Sequence, residues 1–468
     1  MKGIFSCVDC GSQSPRWMGF CPSCGSKEPL VSSPLYEPRR GIWMAKRSEP
    51  LELSEINLDD YPRIVFPGNE FNRVLGGGIV PGSVILLAGD PGVGKSTLLL
   101  QSANSLVSVS KRRDGTSPDG KVFYVSGEES NSQLRMRADR LSLPGRNLFL
   151  LDDTEIESVF SQLSNESVSA LVIDSIQTVY SDSHPGTPGT VGQIRETTRL
   201  LINWAKSRMI PVLIAGHVTK DGEVAGPRIL EHMVDVVLYL EGESFGPMRI
   251  LRGIKNRFGS TGEVAVFQME EDGLKEVSDP SQALLSGRIG GQIGSAVVSV
   301  LEGTRPLLVE VQALTVPSYS SIPRRIATGI DVNRLVMLAA VLDRRAGVKL
   351  GNQDIIVNVV GGLKITEPAI DLGVVLAITS SIKGIPLTDE LIAMGEIGLA
   401  GEIRGVSQLR RRLEESSRLG FKFAVGGLSD VTLQPSPIKL LKVDNISEAI
   451  KICINRTNGV ADLESTQI

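Results

Sequence analysis

The stretch Gly89-Asp90-Pro91-Gly92-Val93-Gly94-Lys95-Ser96 constrains this chain more than any other part of it. It has the spacing G-x-x-x-x-G-K-[ST], is led in by the aliphatic run SVILLA and is followed by Thr97 and the apolar run LLLQ. A strand that turns through glycines into a helix leaves successive backbone N–H groups and the helix N-terminus facing one point, which is a phosphate-binding loop. Lys95 supplies a point charge for the outer phosphates, Ser96 offers a hydroxyl to Mg²⁺, and Gly89 to Thr97 together form the nucleotide cradle. ATP and Mg²⁺ are the expected cofactors.

Around this loop the chain reads as an α/β protein. Short apolar runs at 83–88, 121–126, 147–151, 170–174 and 211–216 alternate with helical segments, which predicts a mostly parallel sheet. The length of 468 residues requires two or three domains. The expected divisions are a cysteine module at 1–30, a Pro-rich charged linker at 31–65, the α/β domain at 66–278 and a further α+β domain at 279–468. In that last domain PLLVEVQAL and DIIVNVVGG read as strands. The segments DVNRLVMLAAVLDRRAG, PAIDLGVVLAITSSI and SQLRRRLEESSRLG read as helices. The insert KRRDGTSPDG reads as a polar surface loop.

A net charge of −4 selects no partner, so any nucleic-acid contact must come from cations gathered in a groove or loop. No run approaches about 18 consecutive apolar residues and no secretory pattern opens the chain, so a cytoplasmic protein without a membrane partner is expected. The cysteines agree. Cys7, Cys10, Cys21 and Cys24 form two C-x2-C pairs separated by ten residues, each followed by glycine, the layout of a closed tetrahedral Zn²⁺ site. Four protein ligands leave no open position, so the zinc is structural. Arg16 and Trp17 are candidates for stacking on a base, the alternative being that Trp17 packs the small core. Cys453, alone in AIKICI, reads as a small buried hydrophobe.

Asp174 closes the strand LVIDS and is placed to hold Mg²⁺ opposite Ser96, the Walker B position; the alternative is a helix N-cap before SIQTVY. YVSGEES ends another strand with Glu128 and Glu129. Glu128 is the choice for positioning the attacking water, and the pair is not separated by sequence. His217, at the end of PVLIAG, stands where a polar sensor of the γ-phosphate would sit, with a structural histidine as the alternative. In Lys255-Asn256-Arg257-Phe258-Gly259, period-two spacing on a strand puts Lys255 and Arg257 on one face. That face makes a clamp for phosphate charge supplied across a subunit boundary, or a solvated edge strand.

In this order, CVDCGSQSPRWMGFCPSCG, GDPGVGKSTLLLQ, YVSGEES, LVIDS, GHVTKDG and KNRFG resemble the bacterial RadA/Sms DNA-repair family over nearly the whole chain. The resemblance implies a RecA-like ATPase core, a hexameric ring and a C-terminal domain similar to the Lon protease domain. It implies binding of single-stranded and branched DNA and a helicase-like role in branch migration with the recombinase RecA. Residue by residue, it assigns nucleotide binding to Lys95 and Ser96, the catalytic glutamate to Glu128 and the Walker B carboxylate to Asp174, and it raises His217. Lys255 and Arg257 are similar to cations that ring helicases insert into the neighbouring ATP site. Lys220 and Arg228, in loops that face the channel in such folds, become candidate DNA contacts. Lon proteases use a Ser–Lys dyad, and here the altered signature puts Ala369 at the serine and Arg410 at the lysine. Alanine has no nucleophile and arginine stays protonated, so proteolysis is not expected. Arg410, Arg411 and Arg412, with Arg324, Arg325 and Arg345, are read as a basic surface.

Overall fold

A computed structural model describes residues 4–7, 13–14, 16–22, 25, 27, 30–33, 52, 54, 62–110, 120–217, 227–242, 247–320, 322–427 and 438–454. The chain divides into two compact units, Met1–Glu276 and Val277–Ile468. The first unit opens with a three-stranded antiparallel sheet, β1 (Ile4–Cys7), β2 (Gln13–Ser14) and β3 (Leu30–Ser33), with β1 in the middle. β3 runs three residues beyond the expected end of the cysteine module.

Then follow α1 (Glu70–Val74), β4 (Val84–Gly89), α2 (Lys95–Ser110), β5 (Lys121–Ser126), α3 (Asn131–Arg140), β6 (Leu148–Leu151), α4 (Ile156–Gln162), β7 (Val168–Asp174), α5 (Val191–Arg208) and β8 (Val212–His217). The unit is completed by α6 (Pro227–Met233), β9 (Val236–Glu241), β10 (Met248–Asn256), β11 (Val264–Glu270) and β12 (Gly273–Glu276). The large sheet has the order β12-β11-β10-β9-β4-β8-β7-β5-β6. The six strands from β9 to β6 are parallel, and β10, β11 and β12 extend them as an antiparallel meander.

Strand alternation explains why both faces are covered. Ile85, Leu87, Val122, Tyr124, Val172 and Leu213 face one way, into a core with Leu98 and Leu99 of α2 and Leu134 of α3. Their neighbours Val84, Leu86, Phe123, Val125, Leu171, Ile173 and Ile214 face the other, against Ile156 and Phe160 of α4 and Leu201 and Trp204 of α5. Such period-two burial on both faces is the mark of a parallel α/β sheet. β8 lies between β4 and β7, so the phosphate-loop strand and the Asp174 strand are separated by one strand, the RecA-like arrangement.

The second unit contains α7 (Pro280–Leu285), β13 (Ser295–Glu302), β14 (Arg305–Pro317), β15 (Arg325–Thr328), α8 (Val332–Ala346), β16 (Gln353–Val359), α9 (Asp371–Lys383), β17 (Leu391–Met394), β18 (Glu396–Ile397) and β19 (Ile403–Arg404). It ends with α10 (Leu409–Arg418), β20 (Phe423–Gly426), β21 (Lys439–Lys442) and α11 (Ile446–Cys453). Seven of its strands form a mixed sheet, β15-β16-β14-β13-β17-β20-β21. α9 is buried along nearly its whole length because it packs on this sheet, and a Cβ at Gly373 would meet Val298 Cγ1 at 2.0 Å.

Two expectations for this unit are corrected. Arg412 is not part of a basic surface: it is fully buried. Its guanidinium donates to Ser407 O at 2.8 Å and Ser299 O at 2.6 Å and forms an ion pair with Glu367. Leu409, Arg412, Leu413 and Ser416 make the inward stripe of α10, which leaves Arg410 and Arg411 outside. Cys453, at the end of α11, is half-buried rather than enclosed. Removing one partner of a buried ion pair strands the other charge, so Arg412→Ala should destabilise the second unit by about 3 kcal/mol or more. The exposed Arg410 pairs with Glu414 within its own helix, so Arg410→Ala should cost less than ~0.5 kcal/mol. Chemical denaturation of the two variants measures the difference.

Candidate active site

Parallel register gathers the site. Gly89 at the end of β4 is level with His217 at the end of β8, and Ser126 at the end of β5 is level with Asp174 at the end of β7. The segments that leave these strands therefore emerge along one edge of the sheet, where ligands of open α/β folds bind. β4 breaks at Gly89, whose Cβ would lie 2.4 Å from Leu240 O, and Gly94 has φ +114°, a conformation that side chains rarely adopt. α2 starts at Lys95, directly after this turn.

Lys95 is buried, and its Nζ donates to the loop's own carbonyls, Gly89 O at 2.9 Å and Asp90 O at 3.0 Å. Burial pulls its pKa down, and the charges of Asp174, Glu128 and Asp90 oppose that shift. The three carboxylates thus offset part of the cost of burying the ammonium.

Asp174 is buried too. The residues after it form a turn, not a helix, so the N-cap alternative falls. One of its oxygens accepts from the hydroxyl of Tyr124 at 2.6 Å, and the other, Oδ1, has no hydrogen-bond partner among the described residues. A buried acceptor left unpaired costs about 1–3 kcal/mol. Oδ1 is therefore the atom a hydrated divalent cation would satisfy, and Asp174 with Ser96 fits Mg²⁺.

Tyr124 escaped the sequence reading because it sits among the hydrophobes of KVFYVS. It is fully buried, and burial first and the Asp174 charge second push its phenol well above the usual value. It stays protonated and fixes one carboxylate oxygen, which leaves the other for a cation.

Glu128 and Glu129, inseparable by sequence, have different surroundings. Glu129 pairs with Arg137 of α3 at 2.5 Å, and its backbone N–H is capped by Ser126. Glu128 is exposed and accepts from Ser175 Oγ at 2.5 Å, one residue beyond Asp174. Its charge reaches Lys95. Glu128 therefore belongs to the phosphate edge and Glu129 to α3.

The irregularity of β10 lies between Gly253 and Lys255, and pairing with β9 is regular from Lys255 onward, so Lys255 and Arg257 flank the buried Asn256. Both converge on the end of α6 and the segment joining it to β9. Lys255 Nζ donates to Glu231 O at 2.7 Å and His232 O at 3.2 Å, near the carbonyl end of α6, where a cation is favoured. Arg257 pairs with the buried Asp235 at 3.2 Å. Asp235 precedes β9, and β9 is parallel to β4, so both cations lie at the sheet edge opposite Gly89. Five residues of strand separate the edges, roughly 16 Å.

In the cysteine module Cys7 and Cys21 are buried, and with Leu30 they are its buried core among the described residues. Cys10 and Cys24 lie outside the described residues. So small a core needs a metal or another cross-link, and two buried thiols at its centre fit the inward half of a Zn²⁺ tetrad. Trp17 is 60% exposed and Arg16 is exposed, so the alternative in which Trp17 packs the core is not found. Lys220 also lies outside the described residues, as does most of the polar insert at 111–120, while His217 and Arg228 are placed by backbone only, in β8 and α6.

The comparisons with known proteins agree with this layout. Residues 48–223 match a family model described as an AAA domain, and residues 5–30 match one described as a rubredoxin metal binding domain. "DNA repair protein RadA" of Bacillus subtilis is 45% identical, the match covering 96% of this chain and 98% of the relative. The chain belongs to the RadA family of bacterial DNA repair proteins. Relatives of the same name from Halalkalibacterium halodurans and Pseudomonas aeruginosa are 44% and 42% identical. The matches cover 97% and 96% of this chain and 99% and 98% of the relatives. A solved structure described as the RadB recombinase is 23% identical, with a TM-score of 0.35, and covers 45% of this chain and 97% of its own. The RecA-like assignment rests on strand order and the phosphate loop instead. The protein is a DNA-repair ATPase with a zinc-ribbon module, and among the described residues no helix is long and apolar enough to cross a membrane.

Tyr124→Phe removes only the hydroxyl that orients Asp174. The protein should stay folded, while the Mg²⁺ concentration for half-maximal ATPase rises about tenfold, a loss comparable to that of one charged hydrogen bond. A magnesium titration of the purified variant is the check.

Proposed function

We propose that this chain is a ring-forming, helicase-like motor that hydrolyses ATP on single-stranded DNA and drives branch migration of recombination intermediates together with RecA. The observation that carries this reading is the separation of the two halves of the chemistry. Gly89 to Thr97, Asp174 and Glu128 occupy one edge of the sheet, and Lys255 and Arg257 occupy the opposite edge. The two cations cannot serve the ATP of their own chain without rebuilding the sheet. A neighbour's γ-phosphate is a target they can reach, which supports a closed homo-oligomer, a hexamer by resemblance.

Within one site the roles follow from position. Lys95 and the loop N–H groups would bind the outer phosphates, and Ser96 and Asp174 would hold the Mg²⁺ that neutralises their charge. Glu128, oriented by Ser175, positions the attacking water and takes its proton. His217, level with Gly89, senses the γ-phosphate. Lys220 and Arg228, in and after the segment that leaves β8, contact the DNA backbone. Four cysteines hold Zn²⁺ in the ribbon.

The second unit is read as a Lon-like domain without proteolytic function. Ala369 is buried in a short turn ahead of α9, and Arg410 points outward against Glu414. Neither supplies a nucleophile or a base that can lose a proton. Exposed Arg324, Arg345, Arg410 and Arg411 remain available to a DNA backbone.

Two experiments test the motor. Glu128→Gln should lower hydrolysis by at least about 10²-fold with ATP still bound, whereas Glu129→Gln, which releases Arg137, should act more weakly. Lys95→Ala and Arg257→Ala should each abolish most DNA-stimulated ATPase, on the order of 10³-fold. Mixing the two under demonstrated subunit exchange should restore part of it, because some interfaces regain both halves. Mixed rings that remain as inactive as the parents, or hydrolysis indifferent to single-stranded DNA, would count against the reading.

A further inference from the structure

The phosphate loop is held from outside by the strand that ends in the KNRFG segment. Leu251 of β10 pairs with Leu240 of β9, which in turn pairs with Gly89 at the end of β4. Arg249 precedes Leu251 by two residues on the same strand face, so it lies just past the point where β4 turns into the loop. Its guanidinium reaches that turn: Nε–H donates to Val93 O at 3.0 Å, and Nη1 donates to Met248 O at 2.9 Å.

The contact sits in a closed space. Arg249 is buried, and burial of its charge pulls its pKa down. The stem passes Gly242, just after β9: a Cβ there would lie 2.3 Å from Arg249 Cδ and 2.9 Å from Nε, so a glycine is what lets the arginine through. Met269 of β11 packs on the same turn, since a Cβ at Gly94 would meet its Cε at 2.7 Å. A hydrophobic side chain would fill this ground at lower cost, because a buried charge adds little to stability by itself. What the arginine adds is a donor for one loop carbonyl.

That carbonyl belongs to the peptide joining Val93 to Gly94, the last one before Lys95. A peptide is planar and trans, so its C=O and N–H point in opposite directions. Holding Val93 O toward Arg249 therefore turns the Gly94 N–H away from it. Lys95 holds Gly89 O and Asp90 O from within the loop, whereas Arg249 holds Val93 O from a separate strand. We propose that Arg249 is a positioning residue for ATP binding, which sets the Val93–Gly94 peptide so that the Gly94 N–H donates to the phosphates. It acts through the loop and does not touch the nucleotide. The proposal rests on the triphosphate lying at Lys95 and Ser96.

Two variants of the full-length protein separate the donor from the stem. Arg249→Gln keeps an N–H at the place of Nε and Arg249→Met puts a methyl there, while both lose the charge and the outer nitrogens. Arg249→Met should raise the KM for ATP about tenfold with kcat little changed, the signature of lost uniform binding. Inhibition by inorganic tripolyphosphate, which has the phosphates and no base, should weaken by the same factor. Arg249→Gln should recover most of both losses. Gly242→Ala, at an exposed position, leaves the guanidinium intact but displaces it, so it should raise the KM too. It decides the matter if Arg249→Met does not fold. A KM unchanged in the variant that decides overturns the proposal, as does a loss in Arg249→Gln equal to that in Arg249→Met, or ATP weakened without tripolyphosphate. Lys95→Ala should weaken both ligands; if it weakens neither, the phosphate reading has failed rather than the role of Arg249.

Discussion

Parallel pairing of β4, β8, β7 and β5 is the constraint on which the rest of this protein depends. Parallel strands end on the same side, so four segments distant in sequence deliver Lys95, Glu128, Asp174 and His217 to one edge without any of them being near another along the chain. The pairing is also what buries both faces of the sheet, so disrupting it would remove the site and both cores together. Hydrogen bonds then set the finer geometry. The carboxylates of Asp174, Glu128 and its neighbour Glu129 each have their own partner: Tyr124 for Asp174, Ser175 for Glu128 and Arg137 for Glu129. Without such sorting, neighbouring acids would repel and compete for the same cation.

The phosphate loop and the Asp174 strand were legible in the sequence because their chemistry is local. Glycine spacing, a lysine and a preceding aliphatic run are contiguous, and the expected strand at 121–126 has the same bounds in the fold. β9 was missed: VVLYLE is a buried run after a polar segment and lacks the alternation that marks a strand covered on one side. Tyr124 was missed for another reason. Its partner is fifty positions away, and in a strand of hydrophobes a tyrosine looks like one more of them.

Arg412 shows the opposite error, since its signal was present. Leu409, Arg412, Leu413 and Ser416 have the i, i+3, i+4, i+7 spacing of a single helix face. Three adjacent arginines were read as one solvated patch, although three successive residues span about 200° of a helix and cannot all lie on its outer face. The spacing of Lys255 and Arg257 was easier to read, because the irregularity of β10 lies before Lys255 and the buried Asn256 separates the two cations.

The reversal of chain direction between β9 and β10 has a consequence for symmetry. It carries the KNRFG cations to the edge away from the phosphate loop, so the two sets of residues lie on opposite edges of the sheet. Two such surfaces differ from each other, and a contact joining one to the other in a second copy would be heterologous rather than two-fold. Repeating one contact of that kind generates a directional array with a single sense of rotation, closed or helical according to the angle between copies. An assembly of that type can relay an event from one member to the next in one order, which a face-to-face dimer cannot.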